Sequence, residues 1–557
     1  MKNVRLTLGV VLLAFLFALG AQAQQGKGVL TILFTQEHHG QATPAIVAGI
    51  ADVGGLAGRA TAVKGIRDKV GAGNLLVLDS GDLLVGTPLS SVFKGEPDVL
   101  AMNAIGYDAM SPGNHEFDFE LKEQRYKTLS GLAKFPFLAA NMKGADKLGV
   151  TPNQGFIIKD VAGIKVGIIG ITNPVTPEIS SPPAGVTFED PVATVNAILT
   201  AQKANADIWI ALTHEDSFRD VVLLKGTGID VVIGGHTFGF KGIVTRDTFK
   251  DPISDDTVPD AIKEQATEAA NPNGVYVRPG EGPLFGRLGS TLGRVDLTVE
   301  NKKVTQAKSE NIVIYADTKF NQDQIAAGKL KATVTPSDAQ INGILKPFVD
   351  DLSNRLKEVV GKTTVDLDGR REVVRQKETN LGNLLADIAR ESQKTDIGFQ
   401  NSGGIRTSIP AGDIKISDVL AVNPFGNTLV RFNLKGSELL ASLENSVSQI
   451  EQGAGRFAQV SGMCYSFDKS KPSGQRIVKT FVGNKPLDPN ATYSIATNNF
   501  VAGGGDNYVL FRDKRTNYRD SQFVDADVVA DYLRAKGTVS PRVEGRITEG
   551  GAKTACE

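Results

Sequence analysis

Histidine is scarce in this chain, and its positions point to metal chemistry. All five histidines come directly after an apolar, β-branched run or after the turn that follows it, beside acids, asparagine and glycine; they are His38, His39, His115, His214 and His236. In open α/β sheets, ligands collect at the carboxyl ends of the strands. We therefore expect these segments to converge on one cleft.

The side chains around the histidines are those that hard or borderline divalent cations prefer, namely imidazole, carboxylate and amide oxygen. Glu37 and His39 alternate in TQEHHG and can point the same way, while Asp82 follows a glycine turn from which a carboxylate can bridge two ions. Further candidate ligands in GNHE, LTHED and GGHT are Asn114, His214 and His236. The set predicts two metal ions about 3.5–4 Å apart.

Two ions at that spacing suit phosphoryl transfer, because they polarise a phosphoryl oxygen and lower the pKa of a bound water. The expected nucleophile is a metal-bound hydroxide. His115 cannot easily ligate beside Asn114, so we expect it to stabilise charge on the phosphoryl group and the leaving oxygen. Asp118 stands three residues further on and can hold that imidazole in its protonated form.

The segments that must position these residues alternate apolar, β-branched runs with helical patterns from residue 29 to about 300, as is typical of an α/β domain. The predicted strands are VLTILFT, NLLVLDSGD, KVGIIGIT, DIWIALTHED and GIDVVIGGHT. Residues 336–360 begin with the capping signal Pro-Ser-Asp and continue with helical apolar spacing, which predicts a connecting helix. A second α/β region follows from about residue 361.

Length and charge limit the classes of protein that remain. With 557 residues the chain is too long for one hydrophobic core, which favours two large domains or several small ones. The 61 Lys and Arg balance the 62 Asp and Glu, so no overall field favours nucleic acid or an anionic membrane. We expect no nucleic-acid partner, and any phosphate recognition must be local.

The N-terminal segment is typical of export. Lys2 and Arg5 precede an apolar run that ends in the small-x-small pattern Ala21-Gln22-Ala23, which predicts a signal peptide over residues 1–23. An uncleaved anchor is the alternative, although the run is shorter than the roughly 20 residues that a span needs. No later stretch is long and apolar, so we expect a mature chain without a transmembrane span, located in the periplasm, the cell envelope or the medium, with association through a membrane partner left open.

Cys464 and Cys556 are the two cysteines of the chain. In an oxidising compartment they could form one disulfide that holds the C-terminal tail. Their spacing does not decide whether they pair. A thiolate-rich zinc site is not expected from two cysteines.

With these residues in view, the chain resembles the 5′-nucleotidase family, which includes bacterial periplasmic 5′-nucleotidase/UDP-sugar hydrolases and ecto-5′-nucleotidase. The matching motifs are GD, GNHE and GGHT in the first region, and TNLGNLLADIAR, QNSGGIR, NPFGNTLV, RFAQVSGM and TNNFVAGGGDNY in the second. The resemblance implies an α/β fold with an N-terminal metallophosphatase-like αββα sandwich at 24–335, a connecting helix at 336–360 and a C-terminal α/β substrate-binding domain at 361–557.

The resemblance also implies roles for individual residues. One metal site is assigned Asp82, Asn114, His214 and His236; the other is assigned Glu37, His39 and Asp82, with Asp82 as the bridge, and His115 with Asp118 is the catalytic dyad. The implied substrate contacts are Arg375, Asn401, Arg406, Phe425, Asn427, Phe500 and Asp506, of which Phe425 and Phe500 would sandwich the base. The physics agrees, since guanidinium groups bind phosphate oxygens well and aromatic rings stack on a purine.

Two positions depart from the family pattern. Glu37 stands where the first motif usually has aspartate, and Phe238 stands where GGHTH has its second ligand. Phenylalanine cannot ligate, so this site keeps Glu37, His39 and Asp82. Three protein ligands can suffice for a catalytic ion, but we expect a weaker site. The predicted cofactors are thus two divalent ions, zinc, manganese or similar, with the first site weak.

These features predict an exported, metal-dependent phosphohydrolase that acts on nucleotides by attack of metal-activated hydroxide. Within the same class, the alternatives are a nucleotide-sugar or cyclic-nucleotide hydrolase. From a different class, the alternative is a cell-envelope protein that binds nucleotides or has a structural role and whose metal site has decayed; Phe238 motivates that hypothesis. The set Asp82, Asn114, His115, His214 and His236 favours the enzyme.

Overall fold

A computed structural model describes the chain from residue 27 to residue 557. Within that range the residues outside the description are 48–50, 119–123, 151–154, 181, 237–239, 250–252, 254–257, 259–261, 263–264 and 281–288. The predicted signal peptide at 1–23 and the departure at Phe238 therefore lie outside the described residues.

The first half of the chain forms two mixed sheets. Across the first sheet the strands are Glu268–Ala270, Lys303–Val313, Thr291–Glu300, Lys27–Thr35, Leu75–Asp79 and Ala109–Met110; across the second they are Val275–Val277, Val231–Ile233, Ile208–His214, Ile164–Thr172 and Phe156–Val161. The last three strands of the first sheet run parallel, as do the first four of the second. The five predicted strands are confirmed, and their carboxyl ends share an edge of each sheet.

Alternating side chains build the layers of this half, because successive residues of a strand point to opposite faces. Ile32 and Leu76 of the first sheet share a buried core with Ile168 and Ile210 of the second. Their neighbours on the outer faces belong to different cores, which the flanking helices complete. The resulting order of helix, sheet, sheet and helix confirms the predicted αββα sandwich.

The described helices of this half connect the strands and cover the outer faces. They are Leu56–Val70, Pro88–Phe93, Glu96–Ile105, Arg125–Leu132, Thr176–Ile179, Pro191–Gln202, Ser217–Gly226 and Lys319–Ala326. Short two-stranded sheets pair Ala45–Val47 with Ala51–Val53 and Met142–Lys143 with Thr187–Phe188.

The predicted connecting helix is present as Ala339–Arg355. Asp338 caps it by accepting a hydrogen bond from the amide of Ile341 at 3.0 Å. Ile341 and Leu345 are buried in the outer core of the first half, so the helix packs on that half. The exact domain boundaries at 335 and 361 stay predictions.

The second half forms three sheets. Their strands are, in order, Ala458–Ser461, Ile397–Asn401, Thr492–Asn498, Thr428–Lys435 and Thr516–Val524; Lys485–Pro486, Ile477–Val482, Met463–Phe467 and Ile547–Glu549; and Gly412–Lys415, Val359–Thr363 and Thr538–Val539. The helices are Arg371–Val374, Asn380–Gln393, Ile416–Val422, Gly436–Val447, Asn499–Ala502, Val509–Asp513 and Asp525–Lys536. A second α/β region is thus confirmed.

Across the described residues, every helix is too short or too polar to span a lipid bilayer. The two cysteines do pair: a Cys464–Cys556 disulfide closes a loop of 92 residues and ties the C-terminal tail to the four-stranded sheet.

We expect loss of this disulfide to lower the free energy of unfolding by about 2–4 kcal/mol, because the cross-link limits the unfolded chain. Thermal unfolding with and without reductant measures the effect. The double variant Cys464→Ala/Cys556→Ala should have a lower melting temperature than the wild type, and reductant should not change that temperature. A wild-type melting temperature that does not respond to complete reduction would contradict the expectation.

Asp525, at the start of Asp525–Lys536, gives stability a pH dependence. Burial raises its pKa to about 7, although its carboxylate accepts a hydrogen bond from the amide of Ala526. Its pKa in the unfolded chain is about 3.9, so this contribution to stability is fully present below about pH 4 and is lost as pH rises towards 7. We expect Asp525→Asn to raise the melting temperature at pH 8 and to flatten its decline between pH 5 and 8. Parallel profiles for variant and wild type would refute this.

Candidate active site

The predicted metal ligands lie where parallel strands end. Glu37 follows Lys27–Thr35, Asp82 follows Leu75–Asp79 and Asn114 follows Ala109–Met110 in the first sheet. In the second sheet, His214 ends Ile208–His214, and His236 comes three residues after Val231–Ile233. These residues therefore lie at strand ends, as predicted, and the site spans the edge of both sheets.

Backbone hydrogen bonds lock two of these loops together. The amide of Glu37 donates to the carbonyl of Gly81 at 3.0 Å, and the amide of His39 donates to that of Asp82 at 2.9 Å. Gly81 has a φ of 88°, and a Cβ there would lie 2.4 Å from the amide nitrogen of Gly113. Only glycine allows this approach.

Four of the predicted ligands have a left-handed backbone. The φ angles are 50° for Glu37, 50° for His39, 57° for Asp82 and 73° for His236. Each such residue costs about 1–3 kcal/mol, and strain of this kind concentrates at functional sites. The packing of the surrounding sandwich must therefore stabilise these strained backbone conformations.

Asp82, His214 and His236 form the first group of candidate ligands. The Nδ1 of His214 donates to the carbonyl of Ser80 at 2.6 Å, which turns Nε2 into the site. That Nε2 lies 3.2 Å from Asp82 Oδ2 and 3.2 Å from His236 Nδ1. Burial lowers the pKa of His214, but the charge of Asp82 outweighs it and raises the pKa to about 9.

Asn114 lines the same cavity as His236, and its Oδ1 is buried and has no hydrogen-bond partner among the described residues. An amide oxygen left without a partner is costly but is a good ligand for a divalent cation. On the far side of His236, Asp216 Oδ1 lies 3.6 Å from Nε2. The donor set and the orphaned oxygen both fit a metal ion.

Glu37 and His39 form the other predicted group with Asp82. The Nδ1 of His39 donates to the carbonyl of Val85 at 2.9 Å, so its Nε2 faces Glu37 Oε2 at 3.2 Å. Burial lowers the pKa of His39, but the hydrogen bond and charge of Glu37 raise it overall. The lone pairs of His39 Nε2 and Glu37 Oε2 repel each other unless a proton or a metal cation lies between them. This pair therefore also fits a metal ion.

His115 and Asp118 form a tight pair. The Nδ1 of His115 donates to Asp118 Oδ2 at 2.5 Å, and the hydroxyl of Ser180 donates to Asp118 Oδ1 at 2.6 Å. Burial lowers the pKa of His115, but the charges of Asp118 and Asp82 outweigh it and raise the pKa to about 10. His115 also groups with His39 and Asp82 at ligand distance, and its Nε2 lies 3.9 Å from Asp82 Oδ2.

The expectation that all five histidines converge is wrong for His38. Its Nδ1 accepts a hydrogen bond from Arg59 at 3.2 Å, so Nε2 donates to Asp98 Oδ1 at 2.8 Å. The side chain is fully buried away from the site. The reason is local: His38 lies beyond the end of Lys27–Thr35, between two residues with a left-handed backbone, Glu37 and His39, and its ring points to Arg59 and Asp98 instead.

Glu116 is a structural member of the site that sequence reasoning missed. Its carboxylate accepts hydrogen bonds from the amides of Leu83 at 2.7 Å, Asp82 at 3.0 Å and Gly113 at 2.6 Å. Burial, then the charge of Asp82, raises its pKa to about 7. The signal in the sequence is the position of Glu116 directly after His115 in the GNHE motif.

A cavity of about 510 Å³ lies between the two halves, beside the predicted ligands Asn114 and His236. From the first half, Asn114, His115, Asp118 and His236 line it. All seven predicted substrate contacts line it too: Arg375, Asn401, Arg406, Phe425, Asn427, Phe500 and Asp506. Ser180 and Asn499, which sequence reasoning missed, complete the wall beside them.

Two arginines give the cavity positive charge. Arg375 is buried, its Nη1 donates to the carbonyl of Gly453 at 3.1 Å, and its Nε has no hydrogen-bond partner among the described residues. Burial, then the charges of Arg371 and Arg406, lowers its pKa. Arg406 lies over the ring of Phe425, 5.4 Å from its centroid. Because the positive charges of Arg375 and Arg406 face the same cavity, an anionic ligand would be bound favourably there.

Polar and aromatic groups line the remaining wall. Asn401 donates to Asp506 Oδ2 at 2.6 Å and accepts from the side chain of Asn498 at 3.0 Å. Asp506 has a φ of 52°, a further strained residue at the cavity. Phe500 is 37% exposed, so a large part of its ring is free to contact a ligand.

Comparison with known proteins places both halves in described families. Residues 38–239 match the calcineurin-like phosphoesterase model, and residues 359–513 match the model of the 5′-nucleotidase C-terminal domain.

Similar proteins cover nearly the whole chain. It is 30% identical to a 5′-nucleotidase of Vibrio parahaemolyticus, over 92% of this chain and 90% of that one. It is 32% identical to the trifunctional nucleotide phosphoesterase protein YfkN of Bacillus subtilis over 94% of this chain, which spans only 35% of that longer protein. A crystal structure of a 5′-nucleotidase precursor from Thermus thermophilus matches with 32% identity and a TM-score of 0.64, covering 94% of this chain and all (100%) of that one.

Proposed function

The chain belongs to the 5′-nucleotidase family, a family of metal-dependent phosphohydrolases, and we propose that it releases phosphate from nucleoside 5′-monophosphates. One observation carries the substrate proposal: His115 and His236 line the same cavity as Arg375, Phe425 and Phe500. Groups suited to phosphoryl transfer and groups suited to a nucleoside therefore share one space.

Glu37, His39 and Asp82 would hold one divalent ion, and Asp82, Asn114, His214 and His236 the other. Ions in such sites polarise phosphoryl oxygens and make a bound water acidic. Backbone carbonyls orient the imidazole rings. The Nδ1 of His214 donates to the carbonyl of Ser80 and the Nδ1 of His39 donates to that of Val85, which leaves each Nε2 free to ligate.

His115 would act on the leaving oxygen. Its Nδ1 proton is held by Asp118, and Asp118 is in turn held by Ser180. Nε2 therefore carries the proton that is available for transfer, and His115 lines the cavity. A general acid of this kind contributes about 10²–10⁴-fold to the rate.

The second half would bind the nucleoside phosphate. Arg375 and Arg406 suit phosphate oxygens, because guanidinium groups form charge-assisted hydrogen bonds with them. Phe425 and Phe500 suit the base, and the Asn401–Asp506 pair with Asn427 suits polar atoms of the nucleoside.

Hydrolysis of 5′-AMP, UDP-glucose and 3′,5′-cyclic AMP by the purified chain loaded with Mn²⁺ tests the substrate proposal. Phosphate release measures the first reaction, and chromatographic detection of UMP or AMP measures the other two, because their hydrolysis first yields a phosphate monoester. We expect the highest kcat/KM for 5′-AMP. A higher value for either other compound would assign the chain to nucleotide sugars or cyclic nucleotides instead. Tight AMP binding without turnover of any compound would support a binding protein with a decayed site, which Phe238 motivates.

We expect Phe500→Leu to raise the KM for 5′-AMP about tenfold, because stacking on a base contributes about 1–3 kcal/mol. Leucine keeps an apolar side chain but removes the flat ring. Ribose 5-phosphate, which has no base, is the matched control substrate, and its KM should stay unchanged. Equal changes for both substrates would show that Phe500 acts on the shape of the cavity rather than on the base.

We further propose that the chain works outside the cytoplasm, in the periplasm, the cell envelope or the medium. The Cys464–Cys556 disulfide supports this location, because disulfides persist in oxidising compartments. Fractionation of cells that carry a tagged full-length chain tests the proposal; recovery in the cytoplasm with both thiols reduced would contradict it.

A further inference from the structure

We propose that Glu37 bridges the two metal positions as a second bridging carboxylate beside Asp82, and that its length, one methylene more than that of aspartate, allows it to reach both. The proposal rests on the proposed metal-dependent function. The family resemblance, in contrast, implies that Glu37 is a ligand of one metal site only.

The two oxygens of Glu37 face histidines of different sites. Oε2 lies 3.2 Å from Nε2 of His39, and Oε1 lies 3.9 Å from Nε2 of His214. Ligand atoms bound at about 2.1 Å to one ion can be at most about 4.2 Å apart. Both separations satisfy that limit, so each oxygen can share an ion with its own histidine.

Asp82 has the same relation to both sites. Its Oδ2 lies 3.2 Å from Nε2 of His214, and it also groups with His39 at ligand distance. Two carboxylates thus lie between the same pair of imidazoles. Their negative charge suits two divalent cations better than one.

The backbone of Glu37 is fixed, so the reach of its side chain is fixed too. Its amide donates to Gly81 at 3.0 Å, and its carbonyl accepts from the amide of Gly289 at 3.1 Å. The side chain is buried, and Oε1 has no hydrogen-bond partner among the described residues. A buried carboxylate oxygen without a partner is costly, and a cation between Glu37 and His214 would remove that cost.

An aspartate at this position could not span both sites. With the backbone held at both ends, its oxygens would fall about one carbon–carbon bond, or about 1.5 Å, short. It could approach one imidazole but not both. The length of the glutamate is therefore what allows this residue to face both His39 and His214.

Calorimetric titration of the metal-free, full chain with Mn²⁺ tests the proposal in the absence of substrate. The variants are Glu37→Asp, which keeps the charge but shortens the reach, and Glu37→Gln, which keeps the length but removes the charge. Glu310→Asp, on an exposed residue of the same half, is the control. We expect the wild type and the control to bind two Mn²⁺, and both Glu37 variants to lose about tenfold or more in affinity at each step.

Loss at one step, with the other within twofold of wild type, would overturn the bridge and return Glu37 to a single site. Wild-type affinity at both steps in both variants would overturn it too. Glu37→Gln has the size of the native residue, so it provides the answer if Glu37→Asp does not fold. Two bound Mn²⁺ with the expected losses, but no phosphate release from any nucleotide, would refute the proposed function while the bridge stands.

Discussion

Asp82→Asn is expected to abolish most phosphate release, lowering kcat/KM by about 10³-fold or more. Metal ions stabilise the charge of the transition state by several kcal/mol, and each 1.36 kcal/mol changes the rate tenfold. Asp82 is the candidate ligand common to both groups, with Oδ2 3.2 Å from His214 Nε2. A neutral amide cannot bridge two cations, so both positions should weaken together.

Asparagine keeps the size of Asp82 and can still accept the hydrogen bond that the amide of His115 donates to Oδ1 at 3.0 Å. The loss is therefore chemical rather than structural. Initial rates with 5′-AMP over a range of Mn²⁺ concentrations measure it, with Asp68→Asn, on an exposed helix position, as the control. More than a tenth of the wild-type activity in Asp82→Asn would contradict the bridging role.

His115→Ala is expected to lower kcat about 10²–10⁴-fold and to leave the KM for 5′-AMP and the number of bound Mn²⁺ ions unchanged. The reason is that a protonated imidazole acts on the leaving oxygen and does not ligate. Asp118→Asn should give a smaller loss, because the ring stays but its orientation and charge are less well held.

Pre-steady-state rates and Mn²⁺ stoichiometry separate the two roles that the geometry allows. His115 groups with His39 and Asp82 at ligand distance, with its Nε2 3.9 Å from Asp82 Oδ2. If His115→Ala loses an ion as well as activity, His115 is a ligand and the proposed proton transfer is wrong. Unchanged kcat would remove His115 from the chemistry altogether.

Much of the site could be predicted because its residues follow buried strands. The ends of Lys27–Thr35, Leu75–Asp79 and Ile208–His214 are visible as apolar runs, and topology alone then brings Glu37, Asp82 and His214 to one edge. The second half was predicted from motifs, since nothing in the periodicity of Phe425 or Phe500 distinguishes a cavity wall from a core.

What could not be predicted depends on contacts between distant residues. His38 and His39 are neighbours, but only His39 faces the candidate site. The ring of His38 is hydrogen-bonded to Arg59 and Asp98, which are distant in sequence. The role of Glu116 depends on the amides of Asp82 and Leu83 in another loop, besides the amide of Gly113 in its own motif. The pairing of Cys464 with Cys556 required the positions of two strands, which spacing does not give.

The most direct test of the account is phosphate release from 5′-AMP by the metal-free chain as Mn²⁺ is added. We predict no release before addition, release that rises with bound Mn²⁺, and its disappearance on chelation. Saturation with both Mn²⁺ and AMP without any release would contradict the account and show a nucleotide-binding protein instead.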